Sequence, residues 1–567
     1  MTMLFMKKKY QLERFFVTWL MILFMILTDA FTAFAQVKQA TFLVNGISCD
    51  LEQGILKVEF VTPDVVRVQY TGENTFIGNG TDVCLPRAVD NPVRWVYTPN
   101  PDCYLLKSDS LIVRVDLSTA SITYLDKEGG LLLQEDQNIP RISEKRVTKQ
   151  VIYDEHSKHI EKTADGDKEI KNVLRYDTIG HTWKYRINFK WQPLEALYGW
   201  GAHMEDYMNL RGKELYLCQH NLKAMVPVLN STAGYGLLFD AGCAMMFKDN
   251  SEGSFVELEA AKQIDYYFMK GKTMDAVVAN YRLLTGNSPM MPLYLFGYIQ
   301  SKERYVSSDD LINTLKEYRQ RQIPIDMIVQ DWNYWPEGQW GNMSMNPKFY
   351  PDKRKLADEI HSLHAKLMIS IWPNAMNCPQ HEEFRRKGWL LSGTSVYDAF
   401  NPLARKLYWN YANNEFFGNG FDAWWCDASE PLDADWTFMK DGYGADNHRQ
   451  RWELNTNLLN SVLGAERSQL YSLYHAKGIY ENQRSTNEDK RVVNLTRSSY
   501  AGQQRYSTIT WNGDTYATWQ SFAQMIPAGL NFMATGCPYW TVDIGAFFTK
   551  NGPQWFWKGD YDKGCLL

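Results

Sequence analysis

The chain is expected to be multidomain, an N-terminal antiparallel β-sandwich followed by an incomplete (β/α)8 TIM barrel. Two rhythms in the sequence predict this. From about residue 40 to 260, short apolar runs alternate with polar residues and stop at turns. Leu56, Val58 and Phe60 alternate, Thr62-Pro63-Asp64 breaks the run, and Val66, Val68 and Tyr70 resume it. Short strands separated by turn signals suggest an antiparallel sandwich. From about 290 the rhythm becomes strand, helix, strand, and seven apolar runs each end abruptly in polar or aromatic residues, as in a parallel barrel. A length of 567 residues holds both units.

The first 35 residues read as an address. Lys7, Lys8 and Lys9 form a basic start, residues 15–27 are apolar, and Ala33-Phe34-Ala35 offers small residues before Gln36. That order is a secretory signal peptide, with a membrane anchor as the alternative because the run approaches spanning length. The chain is therefore expected to be secreted or periplasmic, with no stable membrane insertion after cleavage. Residues 36–270 carry the sandwich, in which runs at 111–117 and 122–125 lead to a Glu128-Gly129-Gly130 turn. Residues 142–180 are charged and poor in apolar side chains, which predicts a loop or an irregular surface hairpin. Residues 271–290 are a connecting helical segment, and 291–567 the barrel.

The seven barrel runs are 296–299, 327–329, 367–371, 423–426, 492–495, 508–511 and 539–542. A helix is expected to begin at Ser308 as N-cap, with Asp309 and Asp310 in its first turn and Leu311, Leu315 and Tyr318 on one face. A doubly wound sheet is the alternative, but no glycine-rich dinucleotide turn supports it. An eighth barrel strand is missing from the pattern before the chain stops at Leu567.

Composition narrows the function. With 45% apolar and 22% charged residues the chain is neither disordered, collagenous nor a coiled coil. A net charge of −5 and the lack of a basic stripe argue against nucleic acid as a partner. Nine scattered Cys without a C-x-x-C are neither a disulfide framework nor a zinc site, although a pairing such as Cys84 with Cys103 stays open. The 14% aromatic content, with 20 Trp and 33 Tyr, suits sugar stacking as well as a large core. Barrel active sites gather at the C-terminal ends of the strands, where this chain sets Asp331, Asp427, Asp514 and Asp543. Cleaving a glycosidic bond usually takes two carboxyl groups, one to protonate the leaving oxygen and one to attack the anomeric carbon or activate water. Any one Asp at a strand end could equally be a cap or an ion-pair partner; aromatic neighbours favour the chemical reading.

Several long motifs now line up. They are Phe296-Gly297-Tyr298-Ile299-Gln300, Gln330-Asp331-Trp332-Asn333-Tyr334-Trp335, Trp424-Trp425-Cys426-Asp427-Ala428-Ser429-Glu430-Pro431, Leu495-Thr496-Arg497, Trp511-Asn512-Gly513-Asp514 and Asp543-Ile544-Gly545-Ala546-Phe547. In that order residues 290–550 resemble glycoside hydrolase family 31. Leu197-Tyr198-Gly199-Trp200-Gly201 and Gly234-Tyr235-Gly236 resemble the family's sandwich domain. The resemblance implies retaining cleavage of α-glycosides from the non-reducing end, with Asp427 as nucleophile and Asp514 as general acid/base, their carboxyl groups roughly 5–5.5 Å apart. It implies that Asp331 and Arg497 bind the sugar, that Trp511 walls the pocket, and that Trp332, Trp372, Trp425 and Phe547 line it. Asp543 would orient its neighbours or touch substrate, and Glu430 would orient the site from behind. Arg497 is expected to keep Asp427 ionised, while burial and negative neighbours raise Asp514. No metal or organic cofactor is implied.

Family members acting on α-glucose often have Asp where this chain has Trp372. Together with the run Gln330 to Trp335, this resembles the α-xylosidase branch and implies xyloglucan-type oligosaccharides as substrates. The alternatives are an α-glucosidase or glucosyltransferase of the same family, or an inactive truncated fragment that retains some carbohydrate binding. Asn512 stands where the family usually has Ser, a small polar swap expected to be tolerated. The chain is expected to stop before the family's last barrel strand, and its oligomeric state is open.

Overall fold

The computed structural model describes residues 36–77, 82–86, 92–163, 166–302, 304–432, 434, 448–515 and 517–547. The signal-peptide reading and the reading of the last ten residues lie outside them. Among the described residues no helix is long and apolar enough to cross a membrane.

Two antiparallel sheets, of eight and ten strands, build the N-terminal half. Strand Ile55–Thr62 pairs with Val65–Thr71, and that with Ile264–Lys270, in the first sheet. Strands Leu111–Asp116 and Ile122–Asp126 pair in the second. Their inner faces meet where the Tyr124 ring stacks on Phe268, centroids 3.9 Å apart. The buried hydroxyls behind this contact are satisfied. Tyr124 and Tyr266 lie 2.9 Å apart, Tyr266 donates to Glu135 at 3.0 Å, and Glu135 is paired with Arg141. These contacts tie the two sheets together through buried polar groups. Cys84 and Cys103, the pairing left open above, are both buried and are not joined in a disulfide.

Residues 142–180, expected to be a loop or an irregular hairpin, belong to an ordered one. Strand Arg141–Tyr153 pairs antiparallel with Val173–Lys190 along its whole length, with shifts of register only at Thr148/Lys149 and Ile152/Tyr153. Most of its residues are solvated on both faces. Only the inner end, Trp183, Tyr185, Ile187 and Phe189, faces the core; the outer part has no buried face and needs no apolar alternation, so the period that signals a strand is lacking there. A second hairpin, His159–Thr163 with Gly166–Ile170, lies between them. The Tyr153 ring leans on Gly393 in the barrel, where an added Cβ would stand 3.0 Å from it.

Helix α1, Met274–Thr285, follows the sandwich; Thr273 Oγ1 accepts from Ala276 N–H as its N-cap. Its Val277, Tyr281 and Leu284 sit in the sandwich core. The barrel strands are β1 (Ile299–Gln300), β2 (Met327–Gln330), β3 (Lys366–Ile371), β4 (Ala423–Cys426), β5 (Asn494–Thr496), β6 (Thr508–Trp511) and β7 (Trp540–Thr541). They form one parallel sheet in chain order. Helices α2 (Ser308–Gln320), α3 (Lys353–Ser362), α4 (Pro379–Lys387), α5 (Pro402–Glu415), α6 (His448–Leu463), α7 (Tyr471–Thr486) and α8 (Trp519–Ala534) lie between them in sequence. The cap of α2 is Ser307, one residue before the expected Ser308, and its Oγ accepts from Asp310 N–H at 3.2 Å. Leu311 and Leu315 are buried beneath it.

Alternation along the strands divides two cores. Met327, Val329, Met368, Ala423, Trp425, Leu495, Ile509 and Trp511 pack together inside the barrel. Ile328, Leu367, Ile369, Trp424 and Cys426 face outward into the layer of helices. Among the described residues β1 pairs only with β2, and β7 only with β6. Phe296 and Tyr539 touch between these two edges, centroids 6.2 Å apart. Helix α8 packs on the sandwich through Asn531, whose Oδ1 accepts from Gly199 N–H at 2.8 Å. Its opposite stripe, Trp519, Phe522, Ile526 and Leu530, is exposed.

Candidate active site

Strand parity sets the site. Residues 327, 329 and 331 share one side of β2 and its extension, and 423, 425 and 427 share one side of β4. Because Met327, Val329, Ala423 and Trp425 point inward, Asp331 and Asp427 leave their strands on the interior side, at the C-terminal mouth. Trp424 serves the fold instead, its indole N–H donating to Gln483 Oε1 at 2.7 Å.

Arg497, just past β5, joins three carboxyl groups. Its Nη1 lies 3.0 Å from Asp427 Oδ1 and 3.3 Å from Asp514 Oδ2. Its Nε and Nη2 donate to the two oxygens of Glu430 at 2.8 and 3.2 Å. Glu430 and the arginine are almost wholly buried, whereas the side chains of Asp427 and Asp514 keep 14% and 13% of their exposure. Glu430 therefore stands behind the guanidinium and the two aspartates in front of it, open to the cleft. Burial pushes Glu430 above its ordinary range while Arg497 pulls it back. Arg497 meets Asp427, as expected of the residue that keeps it ionised, and the same guanidinium nitrogen also reaches Asp514.

Asp331 and Asp543 complete a ring of acids. Burial, then the charges of Asp427 and Asp543, push Asp331 well above the usual carboxylate range, against the Trp332 N–H that donates to its Oδ1 at 2.8 Å. Burial of the carboxyl group, then Asp514 and Asp427, push Asp543 up to about 8. Crowding of like charges in a partly desolvated cleft favours protonated forms.

Aromatic rings wall the cleft. Trp425 and Trp511 pack with centroids 4.7 Å apart. Trp372 is nearly buried, and its indole N–H donates to Ser370 Oγ at 3.1 Å. Trp340 links it to Trp332, its ring centroid 5.2 Å from that of Trp372 and 5.6 Å from that of Trp332. Phe547 is half-buried, and its backbone N–H donates to Thr515 O at 3.2 Å, which folds the 543–547 segment back over the loop after β6. Asn512, the expected harmless swap, is buried, and neither amide atom has a partner among the described residues. Trp340 was not anticipated; it sits in a glycine-flanked loop well beyond β2, where no strand-end pattern marks it.

Asn221 was not anticipated either. It belongs to the sandwich, in the turn between strands Glu214–Leu217 and Ala224–Ser231. Its Nδ2–H donates to Asp514 Oδ2 at 2.7 Å, and its Oδ1 accepts from Asp514 N–H at 2.9 Å. Gly513 permits this approach, because a Cβ there would stand 2.3 Å from Asn221 Oδ1.

Comparison with known proteins finds relatives for both halves of the chain. Residues 288–558 match the glycosyl hydrolases family 31 TIM-barrel domain, and residues 55–247 match the glycosyl hydrolase 31 N-terminal galactose mutarotase-like domain. An alpha-xylosidase of Saccharolobus solfataricus is 32% identical over 506 residues, 88% of this chain and 63% of that protein. The chain thus spans less than two thirds of that relative's length. An uncharacterized family 31 glucosidase of Pseudescherichia vulneris is 31% identical over 386 residues, 65% of this chain and 69% of that protein. The fold is that of a family 31 alpha-xylosidase from a soil metagenome, solved with xylose: the TM-score is 0.72 at 24% identity, over 90% of this chain and 72% of that one. With both halves matched and relatives above 30% identity, the chain belongs to glycoside hydrolase family 31.

Proposed function

We propose that the protein is an exo-acting, retaining α-glycoside hydrolase whose preferred substrates are α-xylosides of the xyloglucan-oligosaccharide type. One observation carries the mechanism. Asp427 Oδ1 and Asp514 Oδ2 both touch Arg497 Nη1, at 3.0 and 3.3 Å. These two oxygens therefore stand within about 6.3 Å of each other, the sum of those contacts, a closeness that supports the roughly 5–5.5 Å carboxyl pairing of a retaining enzyme.

Asp427 attacks the anomeric carbon while Asp514 protonates the departing oxygen, so that a glycosyl-aspartate forms and the aglycone leaves. Water then attacks the same carbon, Asp514 takes its proton, and the ester to Asp427 breaks. Asp331 hydrogen-bonds the sugar, while Asp543 and Phe547 border it from the segment after β7. Trp372 supports the choice of sugar. Its ring stands where a hydroxyl-binding carboxylate would serve glucose, and xylose lacks the exocyclic CH2OH. The name of the Saccharolobus relative supports the same choice. On the sequence reading the chain is exported, and its mature form begins at Gln36.

The test compares release of an aryl leaving group from an α-xyloside and an α-glucoside, with Asp427→Ala as control. The xyloside is expected to be preferred by about tenfold or more, and turnover to vanish in the control. Preference for the glucoside would refute the argument from Trp372; turnover surviving in Asp427→Ala would refute the nucleophile.

A further inference from the structure

Resting on the hydrolase reading, we propose that Asn221 is a positioning residue for the acid/base carboxyl group. It commits Oδ2 of Asp514 to accepting hydrogen bonds, so that the proton given to the leaving oxygen comes from Oδ1. A residue of the sandwich domain would then set which oxygen of a barrel carboxyl group does the chemistry.

The contact has two points. Asn221 donates to Oδ2 of Asp514 at 2.7 Å and accepts from the backbone N–H of the same residue at 2.9 Å. Only a side chain with a donor and an acceptor side by side can close such a ring, and asparagine has both. Oδ2 also receives Arg497 Nη1 at 3.3 Å. An oxygen that takes two donors, one of them cationic, is a poor place for a proton. When the glycosidic bond breaks, its electron pair stays on the leaving oxygen, the Oδ1 proton moves there, and Asp514 becomes a carboxylate. The negative charge then develops against two donors already in place, which costs little reorganisation. In the second step the proton of the attacking water returns to Oδ1.

Asn221 is held from the other side as a built part of the site. It is fully buried. Arg451 Nη2 donates to its carbonyl oxygen at 2.5 Å. Two residues earlier, the Gln219 amide donates to Ser499 O at 2.7 Å, and its backbone N–H donates to Gln469 Oε1 at 2.6 Å. Two residues later, Lys223 is ion-paired with Glu205 in a buried pocket. The turn is thus pinned at both ends, and Leu222 between them has a φ of 72°. Backbone strain of that kind persists where the surroundings over-determine it.

The experiment measures kcat and kcat/KM of the full chain and of Asn221→Ala on aryl glycosides of graded leaving-group acidity. It also uses the glycosyl fluoride, whose departure needs no proton from Asp514 before the ester forms. The sugar is whichever one the wild type turns over. Asn221→Ala is expected to lose about 10- to 100-fold in kcat on the least acidic phenol and less than about threefold on the fluoride. Activity on the fluoride also reports that the variant is folded. Should Asn221→Ala not fold, Asn221→Ser is measured in the same way, with a smaller loss of the same pattern expected. An equal loss on every substrate, or none on any, would overturn the proposal. If the wild type itself turns over neither fluoride nor phenyl glycosides, the hydrolase reading fails, an outcome distinct from failure of the role of Asn221.

Discussion

Asp543 stands among the charges of Asp331, Asp427 and Asp514, and the proton it keeps has a consequence for stability. An aspartate in the unfolded chain titrates near pH 4, while the folded chain holds this one up to about 8. Between those values the native state binds a proton that the unfolded state has released, so stability falls as pH rises. The contribution of Asp543 is fully present below about pH 4 and is lost as pH passes about 8. Asn is close in shape and cannot ionise. Asp543→Asn is therefore expected to melt above the wild type at pH 8, with the two curves converging toward pH 4. Thermal scans at four or five pH values check this, and curves that run parallel would contradict it. Arg497 shows the same economy at the scale of one side chain. Expected as a partner of Asp427, it also meets Asp514, because one guanidinium nitrogen carries two hydrogens.

Elements differ in how plainly their sequences declare them. Parallel barrel strands are buried on both faces, so they read as short unbroken apolar runs. That is why β2, β3, β4 and β6 stand within a residue of where the pattern puts them. The outer part of the ribbon Arg141–Tyr153 with Val173–Lys190 was harder to read because no face of it there needs to be apolar. Asn221 was invisible for a different reason. Its partner lies 293 positions away, and a polar residue in a turn between strands is ordinary until the opposite surface is known. The matching half of that contact is legible in the loop after β6. Gly513 has a φ of 80°, and an added Cβ would stand 2.3 Å from Asn221 Oδ1 and 2.7 Å from Leu222 N. Gly513→Ala must therefore move either the loop or the turn, in a backbone region that costs an L-residue about 1–2 kcal/mol. On the role proposed for Asp514, a displacement near 1 Å of its carboxyl group is expected to lower kcat by about a hundredfold. Steady-state rates and a melting curve together check this, and kcat within threefold of the wild type would show that the approach is not needed.

At the scale of the whole molecule, the two domains share a core. The cluster built around Val58, Tyr124 and Phe268 runs on without interruption through Leu473, Ala476, Tyr500, Ala501 and Phe532 of the barrel half. Hydrogen bonds follow the same route. Tyr281 of α1 donates to Gln504 Oε1 at 3.0 Å, Arg505 Nη1 donates to Thr285 O at 3.1 Å, and the Tyr500 hydroxyl donates to Ala241 O. Interfaces between domains of one chain are usually more polar and smaller than a core, which lets the domains move and melt separately. A buried apolar continuum predicts the opposite, a single cooperative transition for sandwich and barrel. The catalytic proposal needs the same rigidity, since a sandwich free to shift by 1 Å would carry Asn221 away from Asp514. Calorimetry on the full chain is expected to show one unfolding peak. Tyr500→Phe removes one hydroxyl and leaves the buried Ala241 carbonyl without that donor, at a cost of about 1–3 kcal/mol. If the halves are one unit, it lowers the whole peak without dividing it, and near-ultraviolet circular dichroism at the Trp-rich barrel and far-ultraviolet loss of sheet coincide. Two peaks, or a barrel signal that outlives the sheet signal, would mean that the shared cluster does not couple the domains.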